Sequence, residues 1–272
     1  MTIAIGAETA FADDRLSGAS RSNLIDRWIY VFTAASFIAI VLTGFIPDSL
    51  QKVAAIHAGQ RPPFPLVLHI HAVLMASFLA LLLAQTVLVA TGRRALHMQL
   101  GVVALGLTPV IVITGFILAP TIYHSVWNAA QAAPPPAKQQ LQGFLPVLEN
   151  ILLLQIQAGI LFSIYMWIAL GARRRDPGLH KRMILLAVTA VLAAAIDRMA
   201  WLPTTAPGSP LATELYCALT VAPLFLWDVI RNRRIHRAWL IWAAFYVPGG
   251  AVVYAIWNTP FWHATARHIM GV

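Results

Sequence analysis

Three histidines in this chain close the same phrase. His97 follows Arg93 and Arg94 in RRALHMQL, His180 follows Arg173, Arg174 and Arg175 in RRRDPGLHKRM, and His236 follows Arg233 and Arg234 in RRIHRAWL. A neutral imidazole at the head of a helix can hydrogen-bond a neighbouring helix end. It can also offer a lone pair to a metal centre, and two imidazoles meeting across a bundle can take both axial positions of a haem. His97 and His180 sit at equal depth by sequence and are the natural pair for that chemistry. A second set of polar residues lies within apolar runs: His69, His71, Glu149, Asp197 and Glu214. Two imidazoles and three carboxylates are a ligand set for a divalent metal. His69 and His71 are two apart, however, so on a helix they point about 200° from one another and share an ion only if the helix start unwinds. His71 belongs to a stripe with Met75, Phe78, Leu82 and Gln85. The plainer reading is local pairing. Asp197 and Arg198 pair with neighbours, Glu214 is favoured in the first turn of a helix, and Asp228 forms a helix-end ion pair with Arg231 three residues on. The three repeat histidines have their own plain reading as turn devices that bond a helix end or a lipid head group.

The elements that must position these groups are membrane spans. Hydrophobic residues make up 59% of the chain and charged residues 11%, far from the make-up of a soluble domain. A spanning helix needs about 20 apolar residues. Seven segments qualify: 25–46, 65–91, 98–120, 144–171, 181–202, 211–230 and 237–258. The expected fold is therefore an all-α integral membrane bundle of seven transmembrane helices, a lone helix followed by three hairpins. Residues 1–22 are expected to be a flexible cytoplasmic segment, and 23–272 the membrane domain. Fourteen of the 19 basic residues fall before the first span or in the three arginine turns. Lys52, Arg61, Lys138 and Arg267 lie on the other side, and Arg198 lies within a segment. That bias predicts a cytoplasmic N-terminus and a C-terminus outside, as seven crossings require. The net charge of +9 is spread over separate turns, so it belongs to topology and lipid head groups and does not indicate nucleic acid. The loop 131–138 (QAAPPPAK) reads as extended, with a short interfacial helix within 121–143. Asp197 and Arg198 approach the end of a span that is expected to run unbroken to 202.

Several classes drop out. Lys52, Lys138 and Lys181 are the only lysines and none stands in the last span, so there is no Schiff-base site for retinal. The single Cys217 cannot form an intrachain disulfide. No phosphate-binding glycine loop or nucleophile elbow is present.

The stretch HIHAVLMASFLALLLAQTVLVATGRRALHMQLGVVALGLTPVIVITG (69–115) resembles the first hairpin of the transmembrane cytochrome b family that carries electrons from ascorbate. LHMQLG (96–101) also resembles a broad group of uncharacterised bacterial multi-span membrane proteins. The first resemblance implies haem b, with His71, His97 and His180 as candidate cofactor ligands; the second implies a place in a bacterial plasma membrane. By the family pattern His71 should pair with a histidine on the fourth span. Glu149, Asn150, Gln155 and Gln157 stand there instead, so the resemblance leaves one pair, His97 with His180. Two expectations stay open. One is a haem-binding electron-transfer or redox-assembly protein. The other is a non-redox membrane protein whose outward polar residues His69, His71, Glu149, Asp197 and Glu214 bind a divalent metal, a proton or a small ligand. The sequence names no protein partner beyond the lipid bilayer.

Overall fold

A computed structural model describes Asp14, Leu16 and residues 23–272. Helix α1 (Leu24–His57) starts where Asn23 and Asp26 cap each other reciprocally: the Asp26 N–H donates to Asn23 Oδ1 at 2.9 Å and the Asn23 N–H to Asp26 Oδ2 at 2.8 Å. Such a box satisfies two amides that a helix start leaves unpaired. Helix α2 (Leu66–Ala90) returns, and the turn at 91–93 leads through α3 (Arg94–Gly101) into α4 (Val103–Ala132). Helix α5 (Pro135–Ala172) is followed by α6 (Pro177–Thr189) and the single turn α7 (Ala193–Ile196). Helices α8 (Leu211–Leu219) and α9 (Ala222–Asn232) meet at a 44° bend. Helix α10 (Arg237–Ile256) precedes a terminal helix, α11 (Pro260–Met270).

The fold is an all-α membrane bundle. Six segments are long and apolar enough to cross a bilayer (α1, α2, α3–α4, α5, α6–α7 and α10), and the bent pair α8–α9 makes a seventh if it is one span. The segment α6–α7 is 61% buried and runs through the centre, whereas α2, α3–α4 and α10 are each only 17% buried. Their outer faces carry large apolar side chains such as Ile113, Phe116, Leu240 and Val247. In water those faces would be an association hazard; against lipid they are ordinary. The core gathers on α5 and α6, where Phe162, Tyr165, Met166, Met183, Leu186 and Val188 pack with Phe37 of α1 and Leu224 of α9. Gly44 is required where α1 crosses α7: a Cβ there would stand 2.1 Å from the Ala195 carbonyl oxygen.

Four expectations are corrected. The proline-rich stretch 131–138 is not extended; only Ala133 and Pro134 separate α4 from α5, because Pro135 and Pro136 open a helix where no amide is needed. No separate interfacial helix lies within 121–143. Instead α5 runs for 38 residues, about 57 Å, well beyond a hydrocarbon core of about 30 Å. The span expected at 181–202 breaks after Thr189, and the one at 211–230 bends before Pro223, whose ring removes a helical hydrogen bond. The breaks fall in the second helix of one hairpin and the first of another, so they do not recur at matching places. Of the segment 1–22 only Asp14 and Leu16 are described, and both are buried.

Candidate functional site

The three repeat histidines do three different things. His236 is the N-cap of α10, its Nδ1 accepting from the Ala238 N–H at 3.1 Å. His180, near the start of α6, places Nδ1 2.8 Å from the Ala169 carbonyl at the end of α5. A carbonyl only accepts, so Nδ1 carries the proton and Nε2 keeps its lone pair. His97 on α3 has a buried Nδ1 with no partner. Nearby on α2, both polar atoms of the Gln85 side chain are buried without partners. The charge of His97 is felt at His180, so the two rings lie within electrostatic reach of one another. His97 thus lies against the Gln85 backbone and within electrostatic reach of His180, with its Nδ1 left without a partner.

His71 is not among them. It lies toward the other end of α2, 14 residues before Gln85 and about 21 Å away along the helix axis. Its Nδ1 is 3.0 Å from Thr114 Oγ1, and that hydroxyl already donates to the Val110 and Ile111 carbonyls. His69 stands edge-on to Phe64, with ring centroids 6.1 Å apart.

The residues suggested for a divalent metal have separate partners. Asp197 accepts from Thr213, and Arg198 reaches Asp48 at 3.1 Å. Glu149 is wholly buried at the end away from the arginine turns. It accepts from Tyr123 Oη at 3.2 Å, Arg267 Nε at 2.8 Å and His263 Nδ1 at 2.6 Å. Trp262 Nε1 donates to its carbonyl at 2.8 Å, and Asn150 accepts from the Asn258 N–H at 3.1 Å. Three of those donors come from α11 and hold it against α5. Among the described residues, no group of three His, Cys, Asp or Glu is arranged to hold a metal ion.

A network that the sequence reading did not foresee closes the arginine end. Arg182 of α6 is fully buried. It grips Asp228 of α9 through Nε and Nη2 at 2.7 and 2.6 Å, and Asp14 through Nη1 and Nη2 at 2.9 and 3.0 Å. Nη1 also donates to the Gly178 carbonyl at 2.9 Å, so all five guanidinium N–H groups are used. Asp228 accepts in addition from Trp239 and Asn232, each at 2.7 Å. The expected pair of Asp228 with Arg231 does not form. Arg231 binds Asp26 of α1 through Nε and Nη2 at 2.9 and 2.8 Å. Bidentate geometry favours the aspartate facing the whole fork over the one a turn away on the same helix. Gly178 is needed here, because a Cβ would sit 2.8 Å from Asp14 Oδ2. Burial alone would raise the Asp14 carboxyl, but the Arg182 hydrogen bonds and the charges of Lys181 and Arg182 hold it well below its usual range. Burial, then the charge of Arg182, pushes His236 down to about 4. The sequence signal for this network was an aspartate within reach of an arginine turn on two different spans, which pattern alone could not pair.

No family model, curated protein or solved structure matches this chain. What the fold and these clusters define is a multi-pass α-helical membrane protein.

Proposed function

We propose that this protein holds one b-type haem between His97 and His180 and carries electrons within a bacterial plasma membrane. The observation behind the reading is the pair of uncommitted imidazole nitrogens. His97 Nδ1 is buried with no partner, and His180 has its Nδ1 proton tied to a backbone carbonyl. A ring oriented through its second nitrogen in this way is the usual arrangement of a ligating histidine. Two imidazoles suffice for a haem iron, whereas a structural or catalytic zinc takes three or four protein ligands. The residues present therefore fit a haem better than a lone divalent ion. Bound there, haem would supply a one-electron couple. The chain's own part is to orient the His180 ring from Ala169, to supply a polar side chain at Gln85, and to present positive charge to propionates from Arg93, Arg94 and Arg173. The resemblance of 69–115 to the ascorbate-linked cytochromes supports the same reading, although the histidine that would pair with His71 on the fourth span is missing.

The test is the absorbance spectrum of the full chain purified after expression with haem supplied. A Soret band is expected in the wild type, with loss of the bis-histidine spectrum in both His97→Ala and His180→Ala while helicity by circular dichroism is kept. His71→Ala should retain the spectrum. A wild-type protein with no Soret band, or an unchanged spectrum in His97→Ala, overturns the proposal.

A further inference from the structure

Two glutamates lie inside spans, and among the described residues only Glu149 has a cation at ion-pair distance. Glu149 is matched by Arg267 and His263. Glu214, near the start of α8, has no described Lys, Arg or His within ion-pair distance. It lines a narrow cavity between α5, α6, α8 and α10 together with Gln157, Thr189, Cys217 and Tyr246. The cavity offers about 10 Å³ to the centre of a water molecule, which is room for one water. It opens beside the break where α6 ends and α7 begins, with Ala190 and Ala193 on its wall.

The polar atoms around it are largely committed. Tyr246 Oη donates to the Glu214 backbone carbonyl at 2.9 Å. Trp242 Nε1 donates to Thr189 Oγ1 at 3.0 Å, and that hydroxyl donates onward to the Leu186 carbonyl at 2.7 Å. Gln157 Nε2 is buried with no acceptor at hydrogen-bond distance, although the amide lies near enough to the Glu214 carboxyl to act on it. The titratable groups that face Glu214 are Tyr165 of α5, Asp197 beyond α7, Cys217 of α8 and Tyr246 of α10. None of them is a cation. Glu214 is half-buried, and an ionised carboxylate here would have no described opposite charge beside it within an apolar bundle; a group so placed is favoured to take a proton.

We propose that Glu214 is a proton-binding site: its carboxyl carries a proton in the resting protein, and one water in the cavity links it to Gln157 Nε2. Binding takes one proton from the aqueous phase and release returns it, with no other reactant. Asp197, held by Thr213, is the next carboxylate and marks the exchange route toward the end away from the arginine turns. The site stands on the cavity and the missing cation, and does not depend on haem.

Infrared spectroscopy of the full chain in lipid nanodiscs at neutral pH tests this. The wild type should show a protonated-carboxyl C=O band that shifts down in D2O. The band should persist in Glu149→Gln and Asp197→Asn, disappear in Glu214→Gln, and move in Glu214→Asp, which keeps the acid if the amide variant does not fold. A wild-type spectrum without the band overturns the proposal. So does a band that survives in Glu214→Gln or vanishes in Asp197→Asn.

Discussion

The two ends of the bundle solve opposite problems. At the arginine end the buried group is a cation, Arg182, shared by two carboxylates, with all three residues buried. At the other end it is an anion, Glu149, whose cation Arg267 is 47% exposed along its side chain. In both cases a terminal part of the chain supplies a partner. Asp14, ahead of the first span, completes the Arg182 site, and α11, after the last, completes the Glu149 site. Without Asp14, Arg182 would keep Asp228 but leave two guanidinium contacts unmade. Without α11, Glu149 would lose Arg267 and His263 and stand as a buried charge without its cation, which is among the costlier defects a protein interior can hold. The segments outside the spans are thus clamps. The arginine-end clamp is dry and the opposite one is partly wet.

The comparison can be broken most sharply by asking which end faces which compartment. The basic turns at 92–97, 172–180 and 231–236 are expected in the cytoplasm, with 47–64, 121–143, 203–210 and 259–272 outside. The contributions of Arg15 and Arg21 to that bias lie outside the described residues. A phosphatase fused after Val272 should be active and one fused after Arg175 silent. The reverse pattern would put the Arg182 clamp outside.

The next largest effect is on stability. Arg182→Met leaves Asp228 buried without its cation and strips Asp14 of its nearer one, Lys181 standing 3.9 Å away; it is expected to cost about 3–5 kcal/mol. Glu149→Gln releases a half-exposed Arg267 that water can solvate, and should cost less, about 1–3 kcal/mol. Denaturation of the two variants in the same detergent checks the order. Equal losses would mean that the two clamps are energetically alike.

The smallest effect is a pH slope confined to the dry end. Burial, then the charge of Arg182, pushes His236 down from its usual 6.5 to about 4 in the folded chain. An unfolded chain therefore takes up this proton first as pH falls. Stability from this group is full above about 6.5 and declines as pH drops toward 4. Asp14, whose folded pKa is also depressed, adds its own loss only below its ordinary range, near 3.8. Melting temperatures of wild type and His236→Asn, which keeps a good N-cap, should diverge in slope between pH 7 and about 4.5. Parallel curves would show that His236 is not the group that titrates.

Much of this architecture is legible in residue order. The helices and the turns after Ala90, Ala172 and Asn232 follow from runs of about 20 apolar residues ended by arginine, glycine or proline. The breaks were harder to see. Nothing in LLAVTAVLAAAIDRM (185–199) forbids a continuous helix, and the interruption after Thr189 occurs where neighbouring helices impose it. His97, His180, Glu149 and Glu214 could all be singled out because a polar residue in an apolar span is costly and needs a reason.

What the sequence by itself determined is the membrane class, because hydropathy and the placement of Lys and Arg act locally and need no partner. Which polar residues meet was decided only by the tertiary structure. Arg182 finds Asp14 at 168 residues' separation and Asp228 at 46, and Glu149 finds Arg267 at 118. A charge in an apolar medium will take whichever opposite charge or hydrogen-bond donor packing brings within about 3 Å. That choice depends on helix rotation and crossing, which a one-dimensional pattern does not encode. The same rotation leaves Glu214 without a described cation at ion-pair distance and turns His71 onto Thr114.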